Sequence, residues 1–152
     1  MRKEIVYLLL TIIGGILLLG STILMIVMWP QVPDRVPTHF NFAGEADAYG
    51  GKGALIGLCV LAWVMFIGLT ILMKFPNTWN IPVKVTAENR ARLYGITRGM
   101  LEVTKFLVVL LMVVLLAGIS IAAQIPKFLM MALVAAILLT IIIGMYLLFK
   151  NR

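Results

Sequence analysis

His39, Glu45 and Asp47 fall within nine residues of one another and bring an imidazole and two carboxylates into one short stretch. Such groups bind divalent cations and move protons. Their spacing, H-x5-E-x-D, matches no standard metal-ligand pattern, so they are metal candidates by residue type alone. Thr38 stands beside His39, but no nucleophile with a partnered base can be read. No catalytic residue is assigned, no cofactor is expected, and an enzyme is the less favoured reading. Two other uses of the same residues compete. One is a self-capped loop, in which Asp34, Asn41 and Asp47 bond to nearby backbone and Lys52 pairs with Glu45 or Asp47. The other is recognition of an external ligand or peptide.

The segment that must position these groups is 29–53. Pro30, Pro33 and Pro37 forbid a regular helix at its start, and Gly44, Gly50, Gly51 and Gly53 supply turns. It reads as a long irregular loop, and a connection of this length is often functional. Trp29, Phe40, Phe42 and Tyr49 are expected to hold it against a membrane interface.

The rest of the chain says why a membrane is expected. Of 152 residues 62% are hydrophobic and 12% are charged, with a mean hydropathy of +1.09. A soluble domain carries about 25% charge, so this surface needs lipid as its solvent. Four apolar runs, 5–28, 54–73, 106–125 and 128–149, have the roughly 20 residues a spanning helix requires. The first contains fifteen Leu, Ile or Val residues, each favouring insertion by about 0.3–0.6 kcal/mol. It is too long for a signal-peptide core and no A-x-A site follows. The expected fold is therefore an all-α integral membrane protein, one domain over 1–152. It is a four-helix transmembrane bundle with a long irregular loop, 29–53, between the first two helices and a loop plus helix extension over 74–105.

The net charge of +7 does not indicate nucleic acid, because the basic residues flank the apolar runs. Ten Lys and Arg (Arg2, Lys3, Lys74, Lys84, Arg90, Arg92, Arg98, Lys105, Lys150, Arg152) fall on one side of the spans and three (Arg35, Lys52, Lys127) on the other. The positive-inside rule makes the first side cytoplasmic, so both termini are expected inside and 29–53 outside. In the inner segment, Pro76, Asn77 and Pro82 break structure and Trp79 is an interfacial anchor. Thr86 is a good N-cap with Glu88 in the following turn, and Leu93, Ile96, Met100 and Val103 recur near helical spacing. Glu102 can pair with Arg98 or Lys105, and no charge lies deep in any span. Gly118 with Ala122, and Ala132 with Ala136, predict close packing of the last two spans in their outer halves. Cys59, alone, reads as a small packing residue.

Two strings add a resemblance. V-P-T-H-F-N-x-x-G-E-x-D-x-Y-G-x-K, from Val36 to Lys52, resembles the signature of a bacterial membrane family of unknown function. That domain also forms the N-terminal part of SdpI-type toxin-immunity and signalling proteins. N-I-P-V-K-V-T-A-E-N-R-A-R-L-Y, from Asn80 to Tyr94, is similar to the inner-loop motif of the family's stand-alone members. The resemblance covers roughly residues 5 to 110, and Ala48 stands where members often carry Gly. It points to Pro37, Thr38, His39, Asn41, Gly44, Glu45, Asp47, Tyr49 and Lys52 as the outer motif. Asn80, Pro82, Glu88, Asn89, Arg90 and Tyr94 form the inner one. It implies a multi-pass protein of the bacterial cytoplasmic membrane whose partners are the bilayer and a peptide toxin or signal. The alternatives are a small membrane enzyme or metal-binding protein at the outer surface, and an accessory subunit of a transporter. Four short-looped helices enclose little space, so a transport pathway would need a homo-oligomer.

Overall fold

The computed structural model describes residues 2–41, 44–123 and 125–152. Its elements run α1 (Arg2–Met28), β1 (Arg35–Phe40), β2 (Ala46–Gly51), α2 (Ala54–Leu72), α3 (Arg90–Ser120) and α4 (Lys127–Lys150). All four helices are long and apolar enough to cross a membrane. At 1.5 Å per residue the shortest, α2, is about 28 Å long, close to the thickness of the hydrocarbon core. Their outward faces are lined with exposed Ile, Leu, Val and Phe, such as Ile16, Val27, Ile142 and Phe128. Water would oppose such a surface and lipid tails accept it.

α3 is the central element and packs against α1, α2 and α4. It runs parallel to α1: Glu4 meets Arg98, Thr11 meets Lys105, and Gly14 faces Phe106 and Val109 in turn. The termini and the α2–α3 connection therefore share one end of the bundle, and the β1–β2 hairpin and the α3–α4 connection share the other. The apolar core lies toward the hairpin end. Leu18 and Met25 of α1, Leu55 and Ala62 of α2, and Val109 and Leu116 of α3 meet there with Val32 and Val36 from the hairpin segment. Cys59 is buried in this core, its sulfur 3.5 Å from Thr22 Oγ1, which also accepts a hydrogen bond from Trp63 Nε1 at 3.1 Å.

The structure changes three expectations. The segment 29–53 is not irregular: Arg35–Phe40 and Ala46–Gly51 form a two-stranded antiparallel hairpin. Pro37 fits because, among the described residues, each strand has only one partner, so a missing N–H disturbs no second ladder. Next, α3 begins at Arg90, four residues after Thr86. Asn89 takes the N-cap position, and its side chain bonds back into the loop instead of to the helix: its Oδ1 accepts from Thr86 N at 2.8 Å and its Nδ2 donates to Lys84 O at 3.1 Å. The buried stripe of α3 passes through Leu93, Thr97, Glu102, Lys105 and Val109, and Val103 points outward.

Finally, the close approach of α3 and α4 is not where the small residues predict it. α3 stops at Ser120, so Ala122 belongs to the turn, with φ +52°. Gly118 is covered by Ile125. The buried stripe of α4 is Met130, Leu133, Gly144 and Leu148, a register that leaves Ala132 exposed. The tight crossing is at Gly144 against Met100, toward the opposite end.

Candidate functional site

The hairpin is built by its own motif residues. Phe40 and Ala46 are the last paired positions before the turn. Asn41 closes that turn: its N–H donates to Glu45 O, its carbonyl accepts from Gly44 N (both 2.9 Å), and its side-chain Oδ1 accepts from Glu45 N at 3.0 Å. Gly44 has φ +72°, a region that side chains disfavour, and the backbone of Lys127 lies against it. His39 Nδ1 and Asp47 Oδ1 sit 2.5 Å apart across the strands, on the exposed side. Thr38 falls in a pairing irregularity between Pro37 and His39, with its methyl over Gly50. Tyr49 pairs with Pro37 and is exposed. Phe42 lies outside the described residues.

Two ties fix the hairpin to the helices. At its base, Lys52 N donates to Asp34 O at 3.0 Å, Lys52 Nζ lies 3.4 Å from Asp34 Oδ1, and the same ammonium sits over the Trp29 ring. Lys52 thus pairs with neither Glu45 nor Asp47. At its tip, Glu45 Oε1 accepts from Lys127 Nζ at 2.5 Å, in the first turn of α4. Burial of Val36 supplies the apolar anchor, worth about 1.5–3 kcal/mol. His39 and Asp47 face each other while Glu45 turns to α4, so the three metal candidates do not converge. Among the described residues no group of three His, Cys, Asp or Glu side chains could hold a metal ion.

Between these ties lies a cleft of about 720 Å³, bounded by β1, the hairpin tip and the α3–α4 turn. Phe40, Ile119 and Ile125 supply apolar walls, and Arg35, Glu45 and Lys127 supply charge. Its volume is in the range of pockets that hold small organic ligands or short peptide segments.

The Lys127 ammonium, by hydrogen bond and by charge, and then Asn41, hold the Glu45 carboxyl below its ordinary range. The folded carboxylate is therefore easier to ionise than the unfolded one. The tie contributes fully above the ordinary glutamate range and is lost as pH falls through the depressed folded value. Carboxyl-carbon NMR in micelles should show Glu45 titrating below an ordinary glutamate, with Lys127→Met bringing the midpoint back up. An identical midpoint in the variant would show that the contact does not form.

The inner motif has a different task. Asn77 Oδ1 accepts from Arg90 Nη2 at 2.9 Å and from Tyr94 OH at 3.3 Å, while Trp79 Nε1 donates to Leu72 O at 3.0 Å and its ring lies against Tyr94. Together with Asn89 these residues strap the end of α2 to the start of α3. Glu88 is held below its ordinary range by hydrogen bonds from Thr86 and its own backbone. Asn80 is exposed, and Pro82 lines a hollow beside Phe149 and Arg152.

A second polar cluster lies inside the bundle. Lys105 Nζ is 2.9 Å from Glu102 Oε2, donates to Thr11 Oγ1 at 2.8 Å, and reaches Thr70 Oγ1 at 3.5 Å. The pairing is the one its i,i+3 spacing predicts, at the level of the last turn of α2. Its enclosure is not foreseeable locally: α1 and α2 leave Glu102 5% and Lys105 1% exposed. Arg98, the other predicted partner, pairs with Glu4 at 2.8 Å.

Residues 16–66 match the model of a family described as a domain of unknown function (DUF1648). The match runs from the middle of α1 through the hairpin into α2, the part that carries the outer motif. No curated protein and no solved structure matches the chain.

Proposed function

We propose that the chain is a multi-pass protein of a bacterial cytoplasmic membrane, with both termini inside, that recognises an extended peptide through the cleft beside its hairpin. A toxin or a signal peptide fits this role, and the resemblance to SdpI-type immunity proteins favours a toxin. The ten-to-three distribution of Lys and Arg supports the orientation.

The cleft is the observation that carries the reading. β1 flanks it and, among the described residues, is hydrogen-bonded to a strand on one side only, so its other edge, apart from the missing Pro37 N–H, offers backbone groups to an added strand. The apolar walls accept alternate side chains, and Arg35, Glu45 and Lys127 offer both signs of charge at the rim. The motif residues Pro37, Thr38, His39, Asn41, Gly44, Glu45, Asp47, Tyr49 and Lys52 act here by shaping and docking the cleft wall. The self-capping contacts and recognition are therefore two parts of one role.

Peptides secreted by the parent strain, added to cells from outside, provide the test. A strain lacking the gene should become sensitive to them, and the intact gene should restore resistance. Ala123→Trp fills the cleft from an exposed turn position, and should leave the protein in the membrane at normal level yet behave like the deletion. Equal sensitivity of all three strains would overturn the proposal.

A further inference from the structure

The end of the bundle away from the hairpin carries a second hollow, of about 560 Å³, between α3 and α4 with the start of α1 at its mouth. Ile96, Met100, Ile143 and Leu147 make its walls apolar. Gly95 leaves the slot open, since a Cβ there would meet no atom within 4 Å. From Arg92 to Met100 the slot follows α3 for about 12 Å at 1.5 Å per residue. Its two charged lining residues, Lys3 and Arg92, are both basic, exposed and without an acidic partner among the described residues. Their neighbours are already engaged: Arg98 by Glu4 and Lys105 by Glu102.

We infer that this slot is a binding site for an anionic phospholipid, with an acyl chain between α3 and α4 and the phosphate between Lys3 and Arg92. Charge decides the occupant. The whole excess of positive charge sits at this end, ten Lys and Arg against Glu4, Glu88 and Glu102, whereas the hairpin end has three of each sign. A second copy of the chain would bring the same basic end to the same level. Two of its three acids there are already paired with cations, and the third, Glu88, is one carboxylate against ten basic groups, so the negative complement it offers is small. A soluble anion would gain nothing from the apolar walls. A negatively charged lipid satisfies both mouth and walls, as basic pockets between spanning helices do generally. The inference is independent of the peptide cleft, and it holds for either orientation of the chain.

Native mass spectrometry of the purified full chain, titrated with phosphatidylglycerol or phosphatidylcholine, tests it. One phosphatidylglycerol should be retained in preference to phosphatidylcholine. Lys3→Gln with Arg92→Gln should weaken phosphatidylglycerol retention by about 30-fold, the loss of two basic contacts, and leave phosphatidylcholine unchanged. Gly95→Leu, which fills the slot from a position free of packing, should abolish retention without lowering the melting temperature. Equal retention of both lipids would overturn the site. An effect of the charge variant with none from Gly95→Leu would reduce it to surface attraction and overturn the slot. A lipid-free dimer whose formation is blocked by Gly95→Leu would assign the groove to a second copy instead.

Discussion

Lys105→Met alone destabilises the folded bundle by about 3–5 kcal/mol, whereas Lys105→Met combined with Glu102→Leu is close to neutral. The single change leaves a carboxylate enclosed by α1 and α2 without its cation, and Arg98, one turn away, is held by Glu4. Thr11 still donates to Glu102, but only at 3.5 Å, too long to replace a charge-assisted contact. The double change removes both charges and leaves apolar side chains of similar volume among Phe66 and the aliphatic parts of Thr11 and Thr70. Equilibrium unfolding in mixed micelles, carried round the full double-mutant cycle, reads the coupling. If the loss in the double variant equals the sum of the two single losses, the pair does not interact inside the bundle.

Gly144→Val is expected to cost about 1–3 kcal/mol and to act on the α3–α4 crossing. A Cβ at Gly144 would overlap Met100 Sδ, lie 2.7 Å from its Cγ and lie 3.0 Å from its Cβ. Rotation of the thioether relieves the first two contacts but not the third, so the helices must separate. α4 feels this strongly because its main packing partner is α3. Met100→Ala placed on Gly144→Val should restore part of the loss, since it removes Sδ and Cγ and leaves only the Cβ contact at 3.0 Å. Absence of rescue in the same unfolding assay would mean that the helices cross elsewhere.

The four helices are legible in the sequence because a run of roughly 20 apolar residues has few other uses. The hairpin is hidden for a physical reason. Its strands carry Pro37, Gly50 and Gly51, which ordinarily argue against strands, and one fixing contact, Glu45 with Lys127, joins residues 82 apart. The same separation hides the enclosure of Lys105. Its pairing with Glu102 follows from i,i+3 spacing, but the Thr11 that covers it is 94 residues distant. Small-residue spacing misplaced the α3–α4 contact because four-residue periodicity recurs all round a helix rich in Ala and Gly. Ala132–Ala136 and Gly144–Leu148 share that spacing, and only the second pair lies wholly on the buried stripe. The inner motif was recognisable as a string, while Asn77, the acceptor at its centre, lies three residues before it.

The clasp between Glu45 and Lys127 also sets an order of assembly. A ribosome releases α1, the hairpin and α2 well before it reaches Lys127, and the opposite wall of the cleft comes from the α3–α4 turn. The nascent chain therefore sits in the bilayer with its hairpin held at the base and its tip unclasped until the last helix emerges. A product arrested after the second helix would be inserted yet present only half of a receptor.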